Sequence, residues 1–249
     1  MERPVTRSKC VELAPRKMVA IHRPRQSTPA PNAPSQPGIE PSAIRNTRKD
    51  MVKRALDLVL ASIAAVIFLP SILLIAFVIT RDGGPAFFAH TRIGRGGVPF
   101  RCLKFRTMVV NADAVLRDLL ERDPAARAEW ERDFKLRHDP RITRIGRFLR
   151  ETSLDELPQL LNVLRGEMSL VGPRPITAEE VQKYGDLIHH YYSCRPGITG
   201  LWQVNGRSNT SYERRVSLDA EYSSTASLFG DLVILARTVE VVVRRTGAH

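Results

Sequence analysis

The sequence predicts an α/β chain that is mostly helical, with a β-hairpin and a membrane-embedded apolar segment broken by a proline. Three observations carry this reading. The stretch Leu58–Thr80 is almost wholly apolar, lies between Asp57 and Arg81, and has Pro70 near its middle. Two strand-like runs flank the turn Gly94-Arg95-Gly96-Gly97. Elsewhere apolar residues recur at helical spacing, as at Val115, Leu116, Leu119 and Leu120.

Composition narrows the function classes. The chain has 249 residues, 38 Lys+Arg against 26 Asp+Glu, and a net charge of +12. A hydrophobic fraction of 43% excludes wholesale disorder. The length suits one domain or two small ones. Cys10, Cys102 and Cys194 stand far apart, without the spacing of a disulfide scaffold or a structural zinc site. That points to a reducing compartment. The basic excess is mostly Arg, whose planar fork suits phosphate. It favours phosphate-bearing partners: nucleic acid, a nucleotide or anionic lipid.

Residues 1–50 read as a disordered, basic, Pro-rich tail ahead of a membrane-associated domain over 51–249. The first 49 residues hold eight of the 17 prolines and ten Lys/Arg against three acids. No apolar run follows the early charges, so this is not a secretory signal. A solvated tail brushing anionic lipid is its simplest role.

Leu58–Thr80 is long enough to cross a bilayer core of ~30 Å. Pro70 removes a backbone hydrogen bond and kinks a helix. Arg48, Lys49, Lys53 and Arg54 precede the segment, and Arg81, Arg92 and Arg95 follow it. Positive charge on both flanks keeps both ends in the cytoplasm. A re-entrant helix-break-helix over 58–80 meets these conditions; a kinked single span is the alternative.

Pro85–His90 and Val98–Arg106 flank the glycine-rich turn as a hairpin. Residues 109–137 read as two helices split by Pro124. Further helices are expected near Thr143–Glu151 and Leu157–Leu164. Leu228–Val243 reads as an amphipathic helix, packed on the core or lying at the membrane interface.

Asp155-Glu156 is the sharpest chemical signal. Two adjacent carboxylates fall where a helix begins, and a helix start favours an ionised carboxylate. An ionised Asp can attack a phosphoryl group, while its neighbour holds Mg²⁺. The plain alternative is a capping box, Ser153-x-x-Glu156. Gly172-Pro173-Arg174-Pro175 is a stiff loop that presents Arg174 with little entropy left to lose. Arg150 can face the same site. Lys104 and Arg106 alternate along a strand and share a face, so these side chains can form a basic pocket around a diphosphate. Arg195–Arg207 is a loop punctuated by Gly197, Gly200 and Gly206, with Trp202 as a stacking residue or a buried anchor. His189 and His190 lack metal spacing and read as structural.

The motifs together resemble a known family. They are Lys53-Arg-Ala-Leu-Asp57, the proline-broken apolar segment, Asp82-Gly-Gly-Pro-Ala-Phe-Phe88 and Lys104-Phe-Arg-Thr-Met108. Asp139-Pro-Arg-Ile-Thr-Arg-Ile-Gly146, Ser153-Leu-Asp-Glu-Leu-Pro-Gln159, Ser169-Leu-Val-Gly-Pro-Arg-Pro175 and Arg195-Pro-Gly-Ile-Thr-Gly200 follow in order. From Met51 onward the chain resembles the bacterial sugar transferases, the monotopic phosphoglycosyl transferases, and within them the small exopolysaccharide-initiating branch. The Pro-rich tail ahead of the domain fits that small form.

The resemblance implies a compact α/β membrane-associated domain with a re-entrant helix kinked at Pro70. It implies that Asp155 attacks the β-phosphate of a UDP-sugar, with galactose or glucose as the sugar, and releases UMP. Polyprenol phosphate, the undecaprenyl lipid of bacteria, would then take the sugar-phosphate from the enzyme. Glu156, with Asp155, would hold Mg²⁺. Lys104, Arg106, Arg150 and Arg174 would contact phosphate. Arg195, Gly197, Thr199, Gln203 and Arg207 would lie near nucleotide or sugar. The implied location is the cytoplasmic face of the bacterial inner membrane, and a homo-oligomer is left open. His90 departs from the family pattern, where Gln is expected. A membrane-anchored binder of nucleic acid or anionic lipid would explain the charge and the apolar segment, but not Asp155-Glu156 or Gly172–Pro175. The implied partners therefore include no nucleic acid beyond the nucleotide.

Overall fold

The computed structural model describes residues 47–133, 136–206 and 210–243. The expected tail, up to residue 46, and Arg207 lie outside the described residues.

The chain enters through one 34-residue helix, α1 (Thr47–Thr80), with Pro70 inside it. Helical backbone continues through Pro70, so the expected separation into two half-helices is not seen. Proline there gives up one hydrogen bond; leaving the helix would strand many more backbone groups. This helix is long and apolar enough to cross a membrane, and only 6% of its apolar window is buried.

Both halves of α1 nevertheless touch the folded body. Asp57, Ala61, Ala64 and Ala65 turn inward at helical spacing, and so do Ile72, Ile75, Ala76 and Ile79. Residues 66–71 between them are all exposed. The first set packs with Leu160, Val163 and Met168, the second with Phe105 and Leu149. Polar ties fix each end. Arg54 donates to the carbonyl oxygens of Val163 (2.7 Å) and Leu164 (3.2 Å). Asp57 accepts from Ser169 Oγ at 2.8 Å and Leu170 N at 3.1 Å. Arg106 donates to the Ile79 carbonyl at 3.0 Å and to both oxygens of Asp82.

Strands β1 (Phe87–Ile93) and β2 (Pro99–Phe105) form the expected antiparallel hairpin, with Phe88 opposite Lys104. Helices α2 (Ala112–Arg122) and α3 (Pro124–Asp133) divide at Pro124, as expected. Next come α4 (Arg144–Glu151), capped by Thr143, and α5 (Gln159–Arg165). Then β3 (Ser169–Val171), α6 (Ala178–Val181), α7 (Ile188–Ser193), β4 (Gly197–Thr199) and α8 (Leu201–Val204) follow. The chain closes with α9 (Tyr212–Thr225) and α10 (Leu228–Val243). The expected C-terminal helix has these same bounds. It buries Asp231 and Ile234 and exposes Phe229, Leu232 and Val239.

The stretch expected as a loop over 195–207 is partly regular. β4 pairs in parallel with β3, and Gly172 N donates to the Thr199 carbonyl at 2.9 Å. A Cβ at Gly172 or Gly197 would meet the other backbone, so both glycines serve this close approach.

Asn162 on α5 locks the free edge of β2. Its Oδ1 accepts from Leu103 N at 3.0 Å, and its Nδ2 donates to Arg101 O at 2.8 Å. The same Nδ2 also reaches Glu167 at 2.6 Å, and the side chain is fully buried. Asn162→Leu keeps the bulk but orphans these groups, at about 3 kcal/mol or more. The expected readout is a lower thermal midpoint of the purified protein. An unchanged midpoint would show that β2 does not depend on this amide.

Candidate active site

The approach to Asp155 is a strained turn. Ser153 is the only non-glycine with positive φ among the described residues (φ 57°). Left-handed backbone at a serine costs on the order of 1 kcal/mol. The turn carries the chain from α4 into a 3-10 turn, Leu154–Glu156. Ser153 makes no side-chain capping bond, so the capping-box alternative is not what the structure adopts. Asp155 is the middle residue of this turn rather than the first of α5.

Asp155 is buried, and Glu156 is half-buried beside it. Lys104, from the inward face of β2, reaches both. Its Nζ is 2.6 Å from Glu156 Oε1 and 3.5 Å from Asp155 Oδ2. Burial acts to strip the proton from Lys104, but Glu156 and Asp155 outweigh it, and its affinity for the proton rises. Arg174 faces Lys104 as a like charge. Arg150 lies within electrostatic reach of Asp155, with its Nε on Thr107 Oγ1 at 2.9 Å. Two carboxylates thus meet three cations, an arrangement that admits further negative charge.

The expected effect of a helix start on Asp155 is reversed. Burial raises its carboxyl above the ordinary value; Lys104 pulls it down, Glu156 pushes it up, Arg150 pulls it down, and burial wins. A raised carboxylate is a stronger nucleophile once ionised, and Lys104 keeps the ionised form accessible. Cys102 nearby is no competitor, since burial pushes its thiol up to about 11.

The other expected site residues divide. Arg106 is not in a pocket with Lys104. β2 ends at Phe105, and the Arg106 guanidinium serves Asp82 and the end of α1. Arg195 donates to the Gly166 carbonyl at 3.0 Å and lies near Arg54 and Arg95. Thr199 is buried and shares a hydrogen bond with Thr238 at 2.7 Å. Gly197 serves the β3–β4 approach. Gln203 donates to the Ile198 carbonyl at 3.0 Å. Among the described residues no group of three or more His, Cys, Asp or Glu side chains gathers as a metal site.

A family model described as bacterial sugar transferase matches residues 48–245. The chain belongs to the bacterial sugar transferase family. It is 55% identical over 199 residues to an uncharacterized sugar transferase of Haemophilus influenzae. It is 52% identical over 198 residues to an undecaprenyl-phosphate galactose phosphotransferase of Salmonella typhimurium. Each match covers 80% of this chain and 42% of the relative, so the chain spans less than half the length of these proteins. The exopolysaccharide production protein ExoY of Rhizobium meliloti is 48% identical over 200 residues, covering 80% of this chain and 88% of that protein.

The fold also gathers residues that local sequence pattern does not place at the site. Arg92 donates to Glu180 at 3.3 Å and to the Pro175 carbonyl at 3.3 Å, beside Arg174. Arg215 lies under Trp202, its guanidinium carbon 5.0 Å from the ring centre, while Arg174 stands 5.9 Å from the same ring. Arg214 and Arg215 are adjacent arginines with nothing in the sequence to tell them apart. Only the fold separates exposed Arg214 from buried Arg215.

Proposed function

We propose that this bacterial sugar transferase moves a sugar-1-phosphate from a UDP-sugar to polyprenol phosphate and releases UMP. The observation that carries the reading is the buried Asp155, adjacent to Glu156, with Lys104 spanning both carboxylates. Asp155 attacks the β-phosphorus of the donor. A bond forms from its carboxylate oxygen to phosphorus, the bond to the bridging oxygen breaks, and UMP leaves with that electron pair. The sugar-phosphate now sits on Asp155. An oxygen of polyprenol phosphate attacks the same phosphorus, a diphosphate forms, and Asp155 departs as carboxylate. Lys104, Arg150 and Arg174 balance charge on the transferring group.

The donor set fits Mg²⁺, which takes one or two carboxylates and completes its shell with substrate phosphates and water. Glu156, with Asp155, would hold it, and when bound it would neutralise diphosphate charge. The donor sugar would be galactose or glucose, and the product would begin an exopolysaccharide or other surface glycan. The names of the Salmonella and Rhizobium relatives support this reading.

The membrane reading follows α1. Contacts at both ends to one folded body, and basic flanks, support a re-entrant course bent at Pro70, with both ends on the cytoplasmic face of the inner membrane. There a water-soluble donor meets a lipid-borne acceptor.

The test is the nucleotide released by full-length protein given Mg²⁺, polyprenol phosphate and UDP-galactose or UDP-glucose. UMP is the expected product. UDP would mean ordinary glycosyl transfer and would overturn the reading.

A further inference from the structure

The hairpin carries two adjacent phenylalanines on opposite faces. Phe87 stacks on Phe105, with ring centres 5.4 Å apart, and Phe105 belongs to the core around Ile79 and Leu149. Phe88 points the other way. It is 52% exposed, and its ring stands 6.3 Å from that of His90. A lone exposed phenylalanine is ordinary on a protein surface. This one is set apart by its partner across the hairpin, Lys104. Cross-strand partners project to the same face, with Cβ atoms about 5 Å apart. Lys104 Nζ is in turn 3.5 Å from Asp155 Oδ2 and 2.6 Å from Glu156 Oε1. An open aromatic ring therefore lies one side chain away from the buried carboxylate.

The face that holds Phe88 changes character along β1, where Phe88, His90 and Arg92 share it. At the far end Arg92 donates to Glu180 and to the Pro175 carbonyl, beside Arg174. Two arginines there suit a diphosphate. The near end pairs one cation, Lys104, with an apolar ring. That combination suits a phosphate attached to a hydrocarbon chain.

The two ends of the hairpin also stand at different depths. At the turn, Arg95 pairs with Asp50 at 2.9 Å. Asp50 lies about 12 Å along α1 ahead of Leu58, where the apolar stretch begins. At the open end Phe87 and Phe105 pack toward Ile79, inside that stretch. Arg106 ties the same end down, donating to the carbonyls of Pro85 at 2.7 Å and Ile79 at 3.0 Å. Phe88 is thus on the bilayer side of the site, and Arg92 is on the water side. We propose that Phe88 supports the polyprenyl chain of the lipid acceptor as it leaves the bilayer, so that the acceptor phosphate enters beside Lys104 while the nucleotide lies toward Arg92 and Arg174. This rests on the transfer reading above and adds to it a contact for the acceptor.

The test is steady-state kinetics of the full-length protein, in detergent and in phospholipid vesicles, with Phe88→Ala and Phe88→Leu. When two transfers pass in turn through one enzyme carboxylate, kcat/KM for each substrate reports its own half-reaction. In Phe88→Ala, kcat/KM for polyprenol phosphate is expected to fall about tenfold, for the loss of an apolar contact. Phe88→Leu keeps an apolar wall and is expected to stay within about twofold of the parent. kcat/KM for the UDP-sugar is expected to hold in both variants, which also reports an intact fold. A fall for the UDP-sugar with the acceptor value intact would assign Phe88 to the sugar or the base and overturn the proposal. Unchanged acceptor kinetics in Phe88→Ala would overturn it as well. So would a loss confined to vesicles and matched by weaker co-sedimentation with them, which would make Phe88 a bilayer anchor. UDP release by the parent would overturn the transfer reading separately, whatever the Phe88 variants do.

Discussion

Asp155→Asn is expected to suppress UMP release by on the order of 10³-fold or more, because amide nitrogen and oxygen cannot take the phosphoryl group as a carboxylate does. The substitution is nearly isosteric, and Lys104 retains Glu156 as a partner at 2.6 Å. Stability should move the other way. The Asp155 carboxyl is raised in the folded protein. A raised group contributes its full stability below its unfolded value and loses it as pH climbs through the folded one. At neutral pH the ionised Asp155 therefore burdens the fold, and the asparagine variant is expected to unfold no earlier than the parent. The pairing of lost turnover with an equal or higher thermal midpoint separates a nucleophile from a structural residue. Retained UMP release would remove Asp155 from that role.

Lys104→Met is expected to shift the acidic limb of the pH–rate profile to higher pH. Lys104 is the first force opposing burial at Asp155. Without it the carboxyl rises further, and a smaller fraction is ionised at any given pH. The turnover rate at neutral pH should fall by on the order of 10²-fold, the effect of losing a charged group placed against a transferring phosphoryl. Lys104→Arg should hold the limb near its original place, since the charge stays. A fallen rate with an unmoved limb would mean that Lys104 acts on substrate alone and does not govern Asp155.

Local pattern explains most of what could be read in advance. The glycine-rich turn at 94–97 announces its hairpin, Pro124 divides two helices, and Leu228–Val243 has its observed bounds. Lys104 precedes the Asp155-Glu156 pair by some fifty residues, yet the lysine and the pair each lie in a motif of their own, so their meeting could be anticipated. What could not be read depends on long-range burial. The αL turn at Ser153 leaves no compositional trace, because serine is an ordinary residue there. Burial reverses the expected ease of ionising Asp155. Arg106 looks like a partner for Lys104 along the strand, but Asp82 claims it. The parallel strands Ser169–Val171 and Gly197–Thr199 are too short to show a period of two. Arg215 hides beside Arg214 for a similar reason, since two adjacent arginines on a helix look alike until one is enclosed.

The helix Thr47–Thr80 serves two solvents at once. Its inward residues complete the cores around Val163 and around Leu149, while residues 66–70 offer apolar surface to whatever surrounds the protein. Such a helix cannot be exchanged for a generic anchor, nor cut away to liberate a soluble enzyme. A chain begun after Thr80 would leave Leu160, Val163, Phe105 and Leu149 uncovered and Arg106 without the Ile79 carbonyl. On the membrane reading proposed above, partition of the segment into lipid and closure of the protein interior are coupled, because one helix supplies both surfaces.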